Sequence, residues 1–185
     1  MESLYIFIIA TIIPLLAILI NKLFIDKVLN KNKRTIIFNK SGNKKDEVYV
    51  PSNFNDDEID KKIQSSILFE SDILKEIKKM IIFYPDVLVE EGNSVDFILK
   101  HDNLKIAIEC KVSFNHLNPK LIEKYFNDQS DIDNLILVSM ESINENIKKK
   151  IYSFSSKKNI EIIDNYKGFS DKILINEIKK DLKLV

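Results

Sequence analysis

Asp96, Glu109 and Lys111 are the residues of this sequence that could do chemistry together. Alternation along the extended run Lys105–Val112 puts Glu109 and Lys111 on one face, with Ile106, Ile108, Cys110 and Val112 on the other. A two-residue turn at Asp102-Asn103 would pair His101 with Leu104, Lys100 with Lys105 and Ile98 with Ala107. Asp96 then falls opposite Glu109, with Cβ atoms about 5 Å apart. Two carboxylates there repel one another, and a divalent cation, Mg²⁺ or Mn²⁺, offsets that cost with hard oxygen ligands from Asp96 and Glu109. Lys111 points to the same place, where it could orient a water or stabilise charge developing on a phosphoryl group. Helical spacing adds Glu70, on the stripe of Ile67, Leu74, Ile77 and Ile81, because a carboxylate on a buried stripe needs a partner.

These residues need a scaffold, and the pattern supplies one. Apolar residues at Ile59, Ile63, Ile67, Leu74, Ile77 and Ile81 predict a helix from Asp57 to about Phe83, stopped by Pro85. Three short strands follow at Asp86–Glu91, Ser94–Lys100 and Lys105–Val112, joined by hairpin-like connections. Asn118-Pro119 opens a second helix through about Asn127. Asn134–Met140 is a continuous apolar run, as for a strand buried on both faces. A helix at Ser142–Ser155, a strand at Ile160–Asp164 and a helix near Asp171–Leu182 complete the chain. The order predicts an α/β fold, a mixed sheet flanked by helices.

The chain has 185 residues, room for one domain and a short appendage. One cysteine excludes a disulfide framework, and three glycines with four prolines exclude a turn-dense sandwich. The net charge of zero divides unevenly. Residues 1–50 hold eight basic and four acidic side chains, leaving 20 basic and 24 acidic for 51–185. Leu4 to Ile20 carries no charge and, extended by Leu23-Phe24-Ile25, predicts a single transmembrane helix within residues 1–25. No Lys or Arg precedes it and no small-residue cleavage site follows, so it reads as an uncleaved anchor. The basic residues after it place the rest in the cytoplasm. Residues 26–56 read as a lysine-rich juxtamembrane linker and 57–185 as the domain. His101 and His116 sit in loops with no ligand partner at helical or strand spacing. Tyr125-Phe126 reads as core, and Lys148-Lys149-Lys150 as a solvated face.

Asp96, twelve residues, then Glu109-Cys110-Lys111, in an α-β-β-β-α-β order, resembles the PD-(D/E)xK nuclease superfamily. The local pattern Phe69-Glu70, Val95-Asp96-Phe97-Ile98 and Glu109-Cys110-Lys111 is most similar to Mrr-like restriction endonuclease domains, over roughly residues 58–165. That resemblance implies a restriction-endonuclease-like αβββαβ core and Mg²⁺-dependent hydrolysis of DNA phosphodiesters. It implies that Asp96 and Glu109 bind the metal, that Lys111 positions the attacking water, and that Glu70 matches the family's helix-borne Glu. The expected protein is a membrane-anchored endonuclease facing the cytoplasm, with DNA and the membrane as partners and a homodimer as an option. The competing expectations are a catalytically inactive nuclease-fold binding module and a membrane-tethered scaffold. The mildly acidic domain, the scarcity of Arg and the lack of a clear basic groove favour the binding module.

Overall fold

Asn55 starts the first long helix through a reciprocal cap. Its side chain accepts from the Glu58 backbone N–H at 3.0 Å, while its own N–H donates to the Glu58 carboxylate at 2.9 Å. The computed structural model describes residues 33–39, 45–92, 94–116, 121–122, 124–125, 131–154, 159–168 and 171–184. Helix α1 (Asp56–Ile81) follows strands β1 (Lys33–Asn39) and β2 (Lys45–Pro51). Then come β3 (Leu88–Glu91), β4 (Phe97–His101), β5 (Leu104–Lys111), β6 (Asn134–Ser139), α2 (Glu145–Tyr152), β7 (Asn159–Ile163) and α3 (Ile173–Asp181). Strands β3 to β7 form one five-stranded mixed sheet in sequence order. Strand β4 runs antiparallel to both β3 and β5, and β5, β6 and β7 are mutually parallel.

Period-two alternation divides the interior between the two sheet faces. Phe97, Leu99, Ile106, Ile108, Cys110, Ile136 and Val138 pack with Phe69, Ile73, Ile77 and Met80 of α1 and with Leu174 and Ile178 of α3. Ile98, Ala107, Leu135 and Leu137 pack the other way, against Ile122, Tyr125, Ile143 and Ile151. The fold is therefore a mixed α/β sheet with helices on both faces. Strand β6 is buried on both sides, as its unbroken apolar run predicts.

Three expectations need correcting. Residues 33–39 and 45–51, read as linker, pair as the two antiparallel strands of a hairpin. Val48 and Val50 alternate inward onto Ile59, making a small apolar cluster with Ile36, Phe38, Phe54 and Ile63. The lysines around this stretch hid a β-branched alternation too short to outweigh them. On α1 Ile59 and Ile77 are buried as expected, but the rest of the buried stripe is rotated to Ser66, Phe69, Ile73, Glu76 and Met80, while Ile67 is 46% exposed. The buried acid of this helix is thus Glu76, and Glu70 is half-buried. Phe69, Ile73 and Met80, left out of the predicted spacing, bury more apolar surface than Ile67 and set the phase. The third is Asp96, which lies just beyond the β4–β5 ladder and does not pair in register with Glu109.

The expected anchor at 1–25 lies outside the described residues. So does most of the expected helix after Asn118, although residues 121, 122, 124 and 125 are helical. Among the described residues no helix is long and apolar enough to cross a membrane.

Candidate functional site

The β4–β5 ladder has the register anticipated from the turn, with His101 opposite Leu104, Lys100 opposite Lys105 and Ile98 opposite Ala107. Asp102 provides the turn with a positive φ of 52°. The ladder ends at Phe97 opposite Ile108, one residue before the anticipated acidic pair. Asp96 instead donates its N–H to the Ile108 carbonyl at 3.0 Å. Its carboxylate accepts from the Cys110 N–H at 2.7 Å. The strand end therefore gives Asp96 a backbone donor and avoids placing it in register against Glu109. Gly92 allows this bend, since a Cβ there would stand 2.5 Å from Val95 Cγ2 and 2.6 Å from the Val95 carbonyl oxygen.

Glu109 and Lys111 share the face opposite Cys110, as alternation requires. Lys111 Nζ lies 3.1 Å from Glu109 Oε1 and 2.8 Å from Asp46 Oδ1 on β2. The Tyr125 hydroxyl donates to Glu109 Oε1 at 2.9 Å. All five side chains are buried, with exposures of 3% for Asp96, 4% for Glu109 and Tyr125, 7% for Lys111 and 8% for Asp46. Burial alone would lower the Lys111 pKa. The carboxylates of Glu109, Asp46 and Asp96 outweigh it and hold the ammonium well above the usual lysine range. Burial and the neighbouring Glu109 carboxylate push the Tyr125 phenol upward, so it stays a donor.

The structure thus brings Asp96, Glu109 and Lys111 into one electrostatic group. Glu70 lies half-buried on α1, whose Phe69, Ile73, Ile77 and Met80 pack on the Cys110 face. Two members escaped sequence reasoning. Tyr125 reads there as plain core, although a buried phenol needs an acceptor and so advertises a polar neighbour. Asp46 reaches Lys111 across 65 positions of chain, a pairing that no local spacing reveals.

A cavity of about 300 Å³ opens beside Lys111, between the hairpin (Glu47, Tyr49) and the segment Ser113–His116. The Tyr49 and His116 rings lie 5.7 Å apart over it. Lys62 bridges its rim to Glu141 at 3.1 Å. Met140 and Glu141 donate backbone N–H groups to the carbonyls of Lys111 and Val112, so the loops after the parallel strands β5 and β6 meet at this edge. Ligand sites of α/β sheets form at such carboxyl ends. Among the described residues no three His, Cys, Asp or Glu side chains gather as a metal-holding group. No family model, curated protein or solved structure matches the chain.

Proposed function

We propose that this protein is a Mg²⁺-dependent endonuclease of the restriction-endonuclease-like kind, resembling the Mrr-like group and held at the cytoplasmic face of a membrane by residues 1–25. The observation that carries the reading is the Lys111 ammonium 3.1 Å from Glu109, in a buried group with Asp96 on the adjoining strand end. The donor chemistry suits a hard divalent cation: the carboxylate oxygens of Asp96 and Glu109 beside one lysine. Asp96 and Glu109 would hold that cation. Bound there, it would supply Lewis-acid activation of water and neutralise phosphate charge.

The chain's own groups then have distinct tasks. The Cys110 N–H fixes the Asp96 carboxylate, and the Tyr125 hydroxyl fixes Glu109 Oε1. Lys111 keeps its proton and donates to a water or a phosphoryl oxygen as negative charge grows in the transition state. Hydrolysis adds that water across one P–O ester bond, leaving a phosphomonoester and a free hydroxyl.

The second reading, a nuclease-fold module without catalysis, also has support. Lys111 is engaged by acids on both sides, and Asp96 is taken by a backbone amide. Plasmid nicking by the full-length protein in detergent, with Mg²⁺ or Mn²⁺, separates the two. Lys111→Ala is expected to nick at least about 100-fold more slowly than wild type. No nicking by either protein, or equal nicking by both, rejects the endonuclease. Calorimetric titration with Mn²⁺ then tells a metal-binding module from a scaffold, because Asp96→Ala should abolish binding only in the former.

A further inference from the structure

Asp46 has no task in the reaction just described, yet its carboxylate is buried and holds the Lys111 ammonium at 2.8 Å. It arrives on a hairpin distant in sequence from the Asp96, Glu109 and Lys111 strands. We propose that the β1–β2 hairpin is a removable cover, its Asp46 carboxylate standing where an anionic phosphodiester oxygen would meet Lys111, so that nucleic acid enters as the hairpin leaves. The inference rests on the endonuclease reading and adds the regulation of that site.

Three observations carry it. First, a carboxylate and a phosphodiester both offer charged oxygen acceptors to an ammonium, so the two compete for the same donor. Glu109 on the same strand stays with Lys111 in either state, whereas Asp46 is carried on a separate element. Second, the hairpin's apolar side chains belong to neither main core. Among the described residues, Val48, Val50, Ile36 and Phe38 cluster with Phe54, Ile59 and Ile63, separately from the cores on the two sheet faces, so lifting the hairpin leaves both faces covered. Third, the seam beneath it is incompletely filled. The 300 Å³ cavity separates Glu47 and Tyr49 from Ser113 and His116, and Asp46–Lys111 is the buried ion pair across this seam.

The test uses the full-length chain and two variants. Asp46→Asn keeps shape and removes the charge. Val50→Asp puts a carboxylate at a fully buried position of the hairpin cluster. Lys111 accessibility is read as its rate of reductive methylation, by peptide mass spectrometry. Affinity is read with a fluorescent DNA duplex in EDTA, and nicking with plasmid and Mg²⁺. Methylation of Lys111 should rise at least tenfold in Val50→Asp. Duplex binding should tighten severalfold in both variants, with faster nicking. Unchanged methylation and affinity in both variants, while wild type nicks in a Lys111-dependent way, overturns the cover and leaves the endonuclease standing. Weaker binding or slower nicking by Asp46→Asn also overturns it, since Asp46 would then support the site. No binding and no nicking by any of the three proteins rejects the endonuclease reading and the phosphate role of Asp46 with it. Asp46→Asn alone decides the matter if Val50→Asp does not fold.

Discussion

Replacing Lys111 with methionine keeps most of the side-chain volume and removes the charge that two acids share. Its Nζ sits 2.8 Å from Asp46 and 3.1 Å from Glu109, and the residue is only 7% exposed. Breaking a buried pair from one side costs about 3–5 kcal/mol, because the remaining charge stays buried without its counter-ion. Against the roughly 5–15 kcal/mol that holds a domain together, that is a large fraction. With a urea slope of about 2 kcal/mol per M, the unfolding midpoint, followed by far-ultraviolet circular dichroism, should fall by about 2 M. Asp46→Asn should cost less in the Lys111→Met background than in wild type, with a coupling of about 1–3 kcal/mol. The sign with pH follows from the raised Lys111 pKa. Its contribution is fully present below the ordinary lysine value of 10.5 and is lost only as pH climbs through the higher native value. The gap between wild type and variant should therefore persist across neutral pH and close only in strong alkali. A loss below about 1 kcal/mol would refute the reasoning, because it is what solvent-screened surface pairs contribute.

Two further outcomes test other parts of the molecule. Burial pushes the Glu76 carboxyl above its usual range, despite the Tyr166 hydroxyl donating to it and Lys79 nearby. Ionising it in the folded state costs stability, and that cost grows as pH rises from the ordinary value of 4.5 through the native one. Glu76→Gln should accordingly raise the melting temperature relative to wild type at about pH 7.5 and by less at about pH 4; a larger gain in acid would contradict this. Gly92→Ala would drive a methyl group into Val95 and disturb the bend that presents Asp96. Thermal unfolding should show a loss of about 1–3 kcal/mol, and a neutral result would mean that the bend is laid out differently.

Local grammar carried much of this architecture. The Asp102-Asn103 turn set the β4–β5 register, and alternation then fixed which face Glu109, Lys111 and Cys110 take. The uninterrupted run at 134–140 announced a strand buried on both sides. Failures came where a longer-range term decided the outcome. On α1, Ile67 and Phe69 offer competing stripes, and only packing against the sheet chooses Phe69 and thereby buries Glu76 in place of Glu70. At Asp96, the cost of facing Glu109 is avoided by ending the ladder and recruiting the Cys110 amide, which ordinary pairing does not anticipate. Asp46 depends on a hairpin folding back onto a strand far along the chain, which no periodicity within either segment encodes.

The outermost strands of the sheet carry a further consequence. A bare strand flank can template growth by a second molecule, and proteins block this with charge. Here β3 ends in Glu90 and Glu91, both solvent-facing, with Glu90 tied to Lys100 at 2.6 Å. Glu161 occupies β7 on the opposite flank. An antiparallel copy laid along β3 would bring these acids close to their own images and repel it. Self-assembly by sheet extension is thus opposed at the β3 edge.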